Sequence, residues 1–287
     1  MPIHDASYQH WRGIPSERAP AWILARAELR LLLARRVVRF LLAVSAIFAL
    51  VWAAMIYLET RLPDAGPLRE ASRLIRVDAH SLALYLTKQR LLQLLLCLAA
   101  GADLIALDRR HKALQIYLAR PLRRRDYLFG KGLALAILLS LMTWVPACLL
   151  LLLKVIVSAD VRWLLAQPWL PLSILGYSAA LIGACTLLTL ASSSLSASPR
   201  LASAQLFAFL ALTSVAAQVL SALTRSARWH LLSIVSDLDQ LASWLFGEPL
   251  RFEFPAWSAL AALVLLGAGC AALLRARVRP IDVVGGS

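Results

Sequence analysis

Six stretches of this chain stay apolar for about the 20 residues that a helix needs to cross a bilayer. They cover residues 40–58, 91–107, 133–157, 169–195, 201–223 and 255–274. Hydrocarbon offers no water to a backbone N–H or C=O, so a spanning segment is a helix or a strand of a closed barrel. A barrel strand reads as about ten residues of alternating polarity. These runs are continuous, so the expected fold is an all-α polytopic membrane protein of six transmembrane helices. Composition agrees. The chain is 60% hydrophobic and 16% charged, whereas soluble domains are about half apolar and a quarter charged. Residues 1–39 then form an N-terminal region, 40–274 the six-span domain and 275–287 a tail. The opening residues "MPIHDASYQHWRGIPSERAP" are polar and lack the basic-then-apolar pattern of a cleaved leader, so the first span is expected to stay in the mature protein.

Orientation follows from the basic residues. With both termini on one side, that side carries 19 of the 30 Lys and Arg residues and the other side 11. The rule that basic loops stay inside places both termini in the cytoplasm of a multi-pass cell-membrane protein. The formal charge of +14 is thereby read as orientation and contact with membrane lipids. Nucleic acid is excluded as a partner, because the basic residues sit a turn or two from the apolar runs and no second basic region builds a groove. The second span has the least defined start. Lys88 and Arg90 precede it, and "LREASRLIRVDAHSLALYLTKQR" before it has helical character. That helix is expected to begin ahead of the apolar core, in the headgroup layer.

Two segments on the cytoplasmic side carry helical patterning. In "PAWILARAELRLLLARRVVRF" (20–40), Ile23, Leu24, Ala27, Leu31, Ala34 and Val38 follow helical spacing, with Arg26, Glu28, Arg30, Arg35 and Arg36 outside that stripe. Pro20 suits a first turn. The pattern predicts an amphipathic helix lying in the membrane interface. The second segment is "LDRRHKALQIYLARPLRRRDYLFGK" (107–131), with eight basic residues and two acids between two spans. Leu114, Tyr117 and Leu118 share one helical face, and Pro121 disfavours helix at Arg120. A short helix parallel to the membrane is expected, followed by a turn and re-entry at Gly130–Lys131. Arg123, Arg124 and Arg125 fit lipid headgroups. The apolar stripe between two charged clusters fits a groove on a soluble partner.

The order of residues in that segment resembles the cytoplasmic loop of the type-2 ATP-binding-cassette (ABC) permease family. That loop has an acidic residue, a small step, a leucine-rich coupling helix, a proline with a basic cluster, then Gly-Lys. The chain matches it at Asp108, Leu114, Leu118, Pro121, Leu122, Gly130 and Lys131. It departs where "HKA" replaces a Gly-Thr step and where Arg123 replaces a serine. Six spans, an N-terminal interfacial helix and the short turn "SSSLSASPR" (192–200) fit the same plan. The resemblance implies a permease subunit, with an export bias, that moves substrate by ATP hydrolysis in a separate cytoplasmic ABC ATPase. It also implies pairing with a second copy or a related permease. Asp108, Arg109, Leu114, Tyr117, Leu118, Pro121, Arg123, Arg124 and Lys131 are then the residues that couple to the ATPase. The chain itself is expected to be non-catalytic and to bind no cofactor. "FGKG" at 129–132 lacks the upstream glycine and the Ser or Thr of a phosphate loop, so ATP acts only through the partner.

Asp103 ends the "AAGA" step of the second span and fits either a substrate path or a pair with a nearby Arg. Gln205, Thr213 and Gln218 in the fifth span fit a polar path or hydrogen bonds between helices. Lys154 is expected to snorkel outward, and Pro146 to kink the third span. Segment 225–255 reads as a helical lid or re-entrant hairpin, with Trp229, Leu232, Val235, Leu238, Leu241 and Leu245 on one face. His230, Asp237 and Asp239 in it lack the further ligands a metal needs. The four cysteines lie in apolar runs with no CxxC pair, as small buried residues do. No His lies within a span, which leaves an intramembrane enzyme without its usual groups. A secondary transporter would show inverted repeats or broken helix pairs. A membrane scaffold or assembly factor remains the alternative.

Overall fold

The computed structural model describes residues 20–61, 78–101, 103–110, 124–158, 161–196 and 198–277. Those residues form helices joined by short turns. Helix α1 (Pro20–Ala34) leads, through Arg35, into α2 (Arg36–Arg61). Then come α3 (Ala79–Leu96), a π-helical turn (Cys97–Gly101) and α4 (Asp103–Arg110). The chain continues through α5 (Arg124–Met142), α6 (Trp144–Ser158), the short α7 (Val161–Ala166), α8 (Leu170–Leu195) and α9 (Pro199–Thr224). A 3-10 turn (Ala227–Leu232), α10 (Ile234–Leu245) and α11 (Ala256–Arg277) complete the order. Six helical stretches are long and apolar enough to cross a membrane: Arg36–Thr60, Ala79–Arg110, Arg125–Ser158, Leu170–Leu195, Pro199–Thr224 and Ala256–Arg277.

The second span begins at Ala79, well ahead of residue 91, where the apolar run starts. Asp78 caps it by accepting from the Ser81 N–H. Its first half carries Tyr85, Gln89, Arg90 and Gln93, all facing protein instead of lipid. Gln89 donates to the Ser45 hydroxyl on α2, and Tyr85 stacks on Phe48 and meets Trp52 edge-on. Polar residues lower the hydropathy of this half, yet they turn into the bundle, where the N–H groups of Gln89, Arg90 and Gln93 find acceptors.

The third span does break near Pro146. The turn falls at Thr143, between α5 and α6. Proline has no N–H to bond the carbonyl four residues back, which is that of Met142. The Gln93 side chain of α3 donates to that carbonyl at 3.3 Å. A polar residue on one span thereby satisfies a backbone group freed on another, as membrane-embedded prolines require.

Helix α8 is the most enclosed span and α9 the least. The core runs through Leu96, Ile105, Leu135, Leu138, Leu139, Ile174 and Leu181. On α9, Phe207, Leu212, Val215, Val219 and Leu223 are exposed. Lys154 does not snorkel freely. It is 8% exposed, and its Nζ lies 2.7 Å from Glu59 at the end of α2.

Segment 225–255 closes the end of the bundle opposite α1. The one helical face expected there is divided, because Ser233 ends the 3-10 turn and caps α10. Trp229 and Leu232 sit exposed on the first piece, while Leu238 and Leu241 pack inside on the second. The chain then folds back. Gln240, fully buried, accepts from the Phe252 N–H and donates to the carbonyls of Phe252 and Phe254.

Candidate functional site

Helix α1 lies against α5, and one glycine makes the approach possible. A Cβ on Gly130 would stand 2.8 Å from the Ala21 carbonyl oxygen and 3.1 Å from Leu24. One residue on, Lys131 is 2% exposed and uses all three ammonium protons. Its Nζ lies 2.5 Å from Glu28 Oε1 on α1 and 2.7 Å from Asp108 Oδ2 on α4, and it donates to the Leu104 carbonyl at 2.7 Å. Tyr127, fully buried one turn earlier on α5, donates to the same Asp108 oxygen at 2.7 Å. Lys131 also sits 5.6 Å from the Tyr127 ring centre. A buried ammonium needs this degree of pairing, since removing either sign would strand a charge in low dielectric.

Two further links join the same end. Arg35, at the joint between α1 and α2, pairs with Asp103 at the start of α4. Arg109 donates to the Ser194 carbonyl near the end of α8. The start of α4 is itself capped across helices. Its first N–H groups have no carbonyl within the helix, and Ser193 Oγ accepts from Ile105 and Ala106 at 2.9 Å each. Gly101 just before it admits Thr189, whose Cγ2 would stand 2.3 Å from an added Cβ. The carboxyl half of the second span is therefore fastened to α1, α5 and α8 around one small volume.

Of the residues predicted to couple to a partner, the structure brings together Asp108, Arg109 and Lys131 in this cluster, with Asp103 beside them. Arg124 opens α5. Leu114, Tyr117, Leu118, Pro121 and Arg123 lie outside the described residues, which resume at the foot of the cluster. Asp103 takes the pairing role expected as one of two. Gln205 and Gln218 are exposed on α9, and Thr213 bonds its own helix at the Phe209 carbonyl. Thirteen positions separate the two glutamines, which sets them about 140° apart around the axis, so they do not form one site within a single chain.

Of the stripe predicted on α1, Leu24 meets the protein, while Ile23, Ala27, Leu31 and Ala34 are exposed. Ala21, Leu24, Ala25, Glu28 and Leu32 are buried, whereas Ile23 is 49% and Leu31 62% exposed. Helix α1 has two apolar surroundings, protein and lipid, and spacing alone does not separate them. Glu28, Tyr127 and Ser193 were not expected at the site. The one available signal for Glu28 was a single acid between Arg26 and Arg30 on an otherwise basic helix.

The opposite end has its own polar cluster. Asp239 lies 2.7 Å from Arg90 and 3.1 Å from Arg251, and His80 lies 3.1 Å from Glu248. Asp237 on α10 is 2% exposed, and burial pushes its carboxyl up to about 8.

The family model described as ABC-2 family transporter protein matches residues 22–274, from the first turn of α1 to the last turns of α11. No curated protein matches the chain.

Proposed function

The chain belongs to the ABC-2 family of transporter proteins, and from that premise we propose that it is the permease subunit of an ATP-driven exporter, worked by a separate cytoplasmic ATPase. Segment 111–123 seats on that ATPase through Leu114, Tyr117 and Leu118. Arg123, Arg124 and Arg125 hold the segment at the headgroup layer. ATP-driven closure of the ATPase pair displaces the segment, and the displacement tilts the second and third spans between two arrangements. The direction, export, is carried by the family resemblance.

The observation that supports this reading is the Lys131 cluster. Segment 111–123 is bounded by α4 and α5. The two helices are tied to each other at Asp108, Tyr127 and Lys131, and to α1 at Glu28. A push on the segment thus reaches three elements at once through buried ion pairs instead of flexible loops. Pairing with a second copy or a related permease is what the family resemblance implies.

The test is capture of the partner ATPase by the tagged chain, followed by its ATPase rate in proteoliposomes. Leu114→Asp and reversal of charge at Arg123–Arg125 are expected to abolish capture. Capture and stimulation at the wild-type level in both variants would refute the docking role.

A further inference from the structure

Between α5, α8 and α11 lies a groove of about 800 Å³. Its walls are Leu128, Leu133, Ile182, Leu187 and Leu190, with Gly132 and Gly183 opening its floor. Among the described residues its charged lining is Arg125 and Arg275, with no described carboxylate beside them. Both arginines are exposed. Arg125 is the second residue of α5 and Arg275 lies in the last turn of α11, so both mark the end of the bundle that carries α1. The groove runs from them towards mid-membrane: Gly183 stands twelve residues before the end of α8, or about 18 Å of helix. Apolar walls with paired cations at one end have the polarity of an acyl chain beneath an anionic headgroup.

We propose that this groove binds one anionic phospholipid from the leaflet on the α1 side. Its phosphate lies between Arg125 and Arg275 and its acyl chains run along α8 past Gly183. The site is distinct from the Lys131 cluster, since no residue is shared, and it does not depend on coupling to an ATPase. A basic residue at the membrane surface favours an anionic lipid roughly fivefold, so two favour it about thirtyfold.

The experiment is native mass spectrometry of the purified full chain in detergent with equimolar dioleoylphosphatidylglycerol and dioleoylphosphatidylcholine. The wild type is expected to retain one phosphatidylglycerol about thirtyfold over phosphatidylcholine. Arg125→Gln with Arg275→Gln is expected to bring the two lipids to parity. Gly183→Leu fills the floor, where an added Cβ meets nothing within 4 Å. It is expected to lose the retained lipid while keeping the wild-type melting temperature. Equal retention of both lipids by the wild type would overturn the proposal, as would an undiminished phosphatidylglycerol preference in the paired glutamine variant or in the well-folded Gly183→Leu.

Discussion

At the α1 end, Lys131 gathers acids from two other helices, Glu28 on α1 and Asp108 on α4. At the opposite end, Gln240 gathers backbone groups only 12 and 14 residues further along the same hairpin. Both are buried polar centres, and both are satisfied. They differ in what they connect. The first joins elements far apart in the chain, so moving one member moves the others. The second closes a cap whose Gln240 bonds lie within residues 233–254, and which Arg90, His80 and Ser173 tie to the spans at Asp239, Glu248 and the Leu245 carbonyl. On the proposed coupling, the contrast separates an end that passes on a displacement from an end that stays shut.

The largest effect that can break this comparison comes from Lys131→Met. It leaves Glu28 and Asp108 as buried carboxylates without their cation, a loss of about 3–5 kcal/mol. Unfolding of the solubilised chain should show it. Adding Glu28→Gln and Asp108→Asn removes the stranded charges and should recover most of the loss. Gly130 and Gly183 offer a second contrast. Gly130→Ala forces a Cβ against the Ala21 backbone, which cannot rotate away, and should cost about 1–3 kcal/mol. Gly183→Ala meets open space and should be neutral, or stabilising by about 0.5–1 kcal/mol.

At the other end, Gln240→Leu should cost about 1–3 kcal/mol by stranding backbone groups of Phe252 and Phe254. Amide exchange should rise in residues 246–254 and stay unchanged in α1. A spread of exchange to α1 would mean that the cap is not local. A pH-dependent effect concerns Asp237. Its folded value of about 8 lies above the ordinary 3.8, so the folded cap holds the proton more tightly than the unfolded chain does. The stability it contributes is fully present below about pH 4 and is lost as the pH rises towards 8. Thermal midpoints should fall over that window in the wild type, and the fall should be reduced in Asp237→Asn.

The spans were legible in the sequence because lipid sets both their length and their polarity. The early start of the second span was harder to place. Gln89, Arg90 and Gln93 depress its hydropathy, and their partners Ser45, Asp239 and the Met142 carbonyl are distant in the chain. For the same reason Lys154 read as a snorkelling residue, although Glu59 receives it. Half of the cluster was legible. Asp108, Gly130 and Lys131 stood in a recognisable order, but order does not say that Lys131 reaches back to Glu28. That contact depends on α1 lying against α5, which the helical spacing of α1 placed on a different face. Pro146 was legible as a break. Its repair by Gln93 was not, because a freed carbonyl has no signature in the sequence.

The most direct test of the proposed coupling uses the neutral cluster, Glu28→Gln/Asp108→Asn/Lys131→Met, reconstituted with the partner ATPase in proteoliposomes. The docking segment is untouched, so the ATPase should still be captured. The link from that segment to α1, α4 and α5 is cut, so stimulation of ATP hydrolysis by transport should fall at least about fivefold, within the usual range of coupling between sites. Wild-type stimulation from a folded neutral cluster would show that the displacement travels by another route.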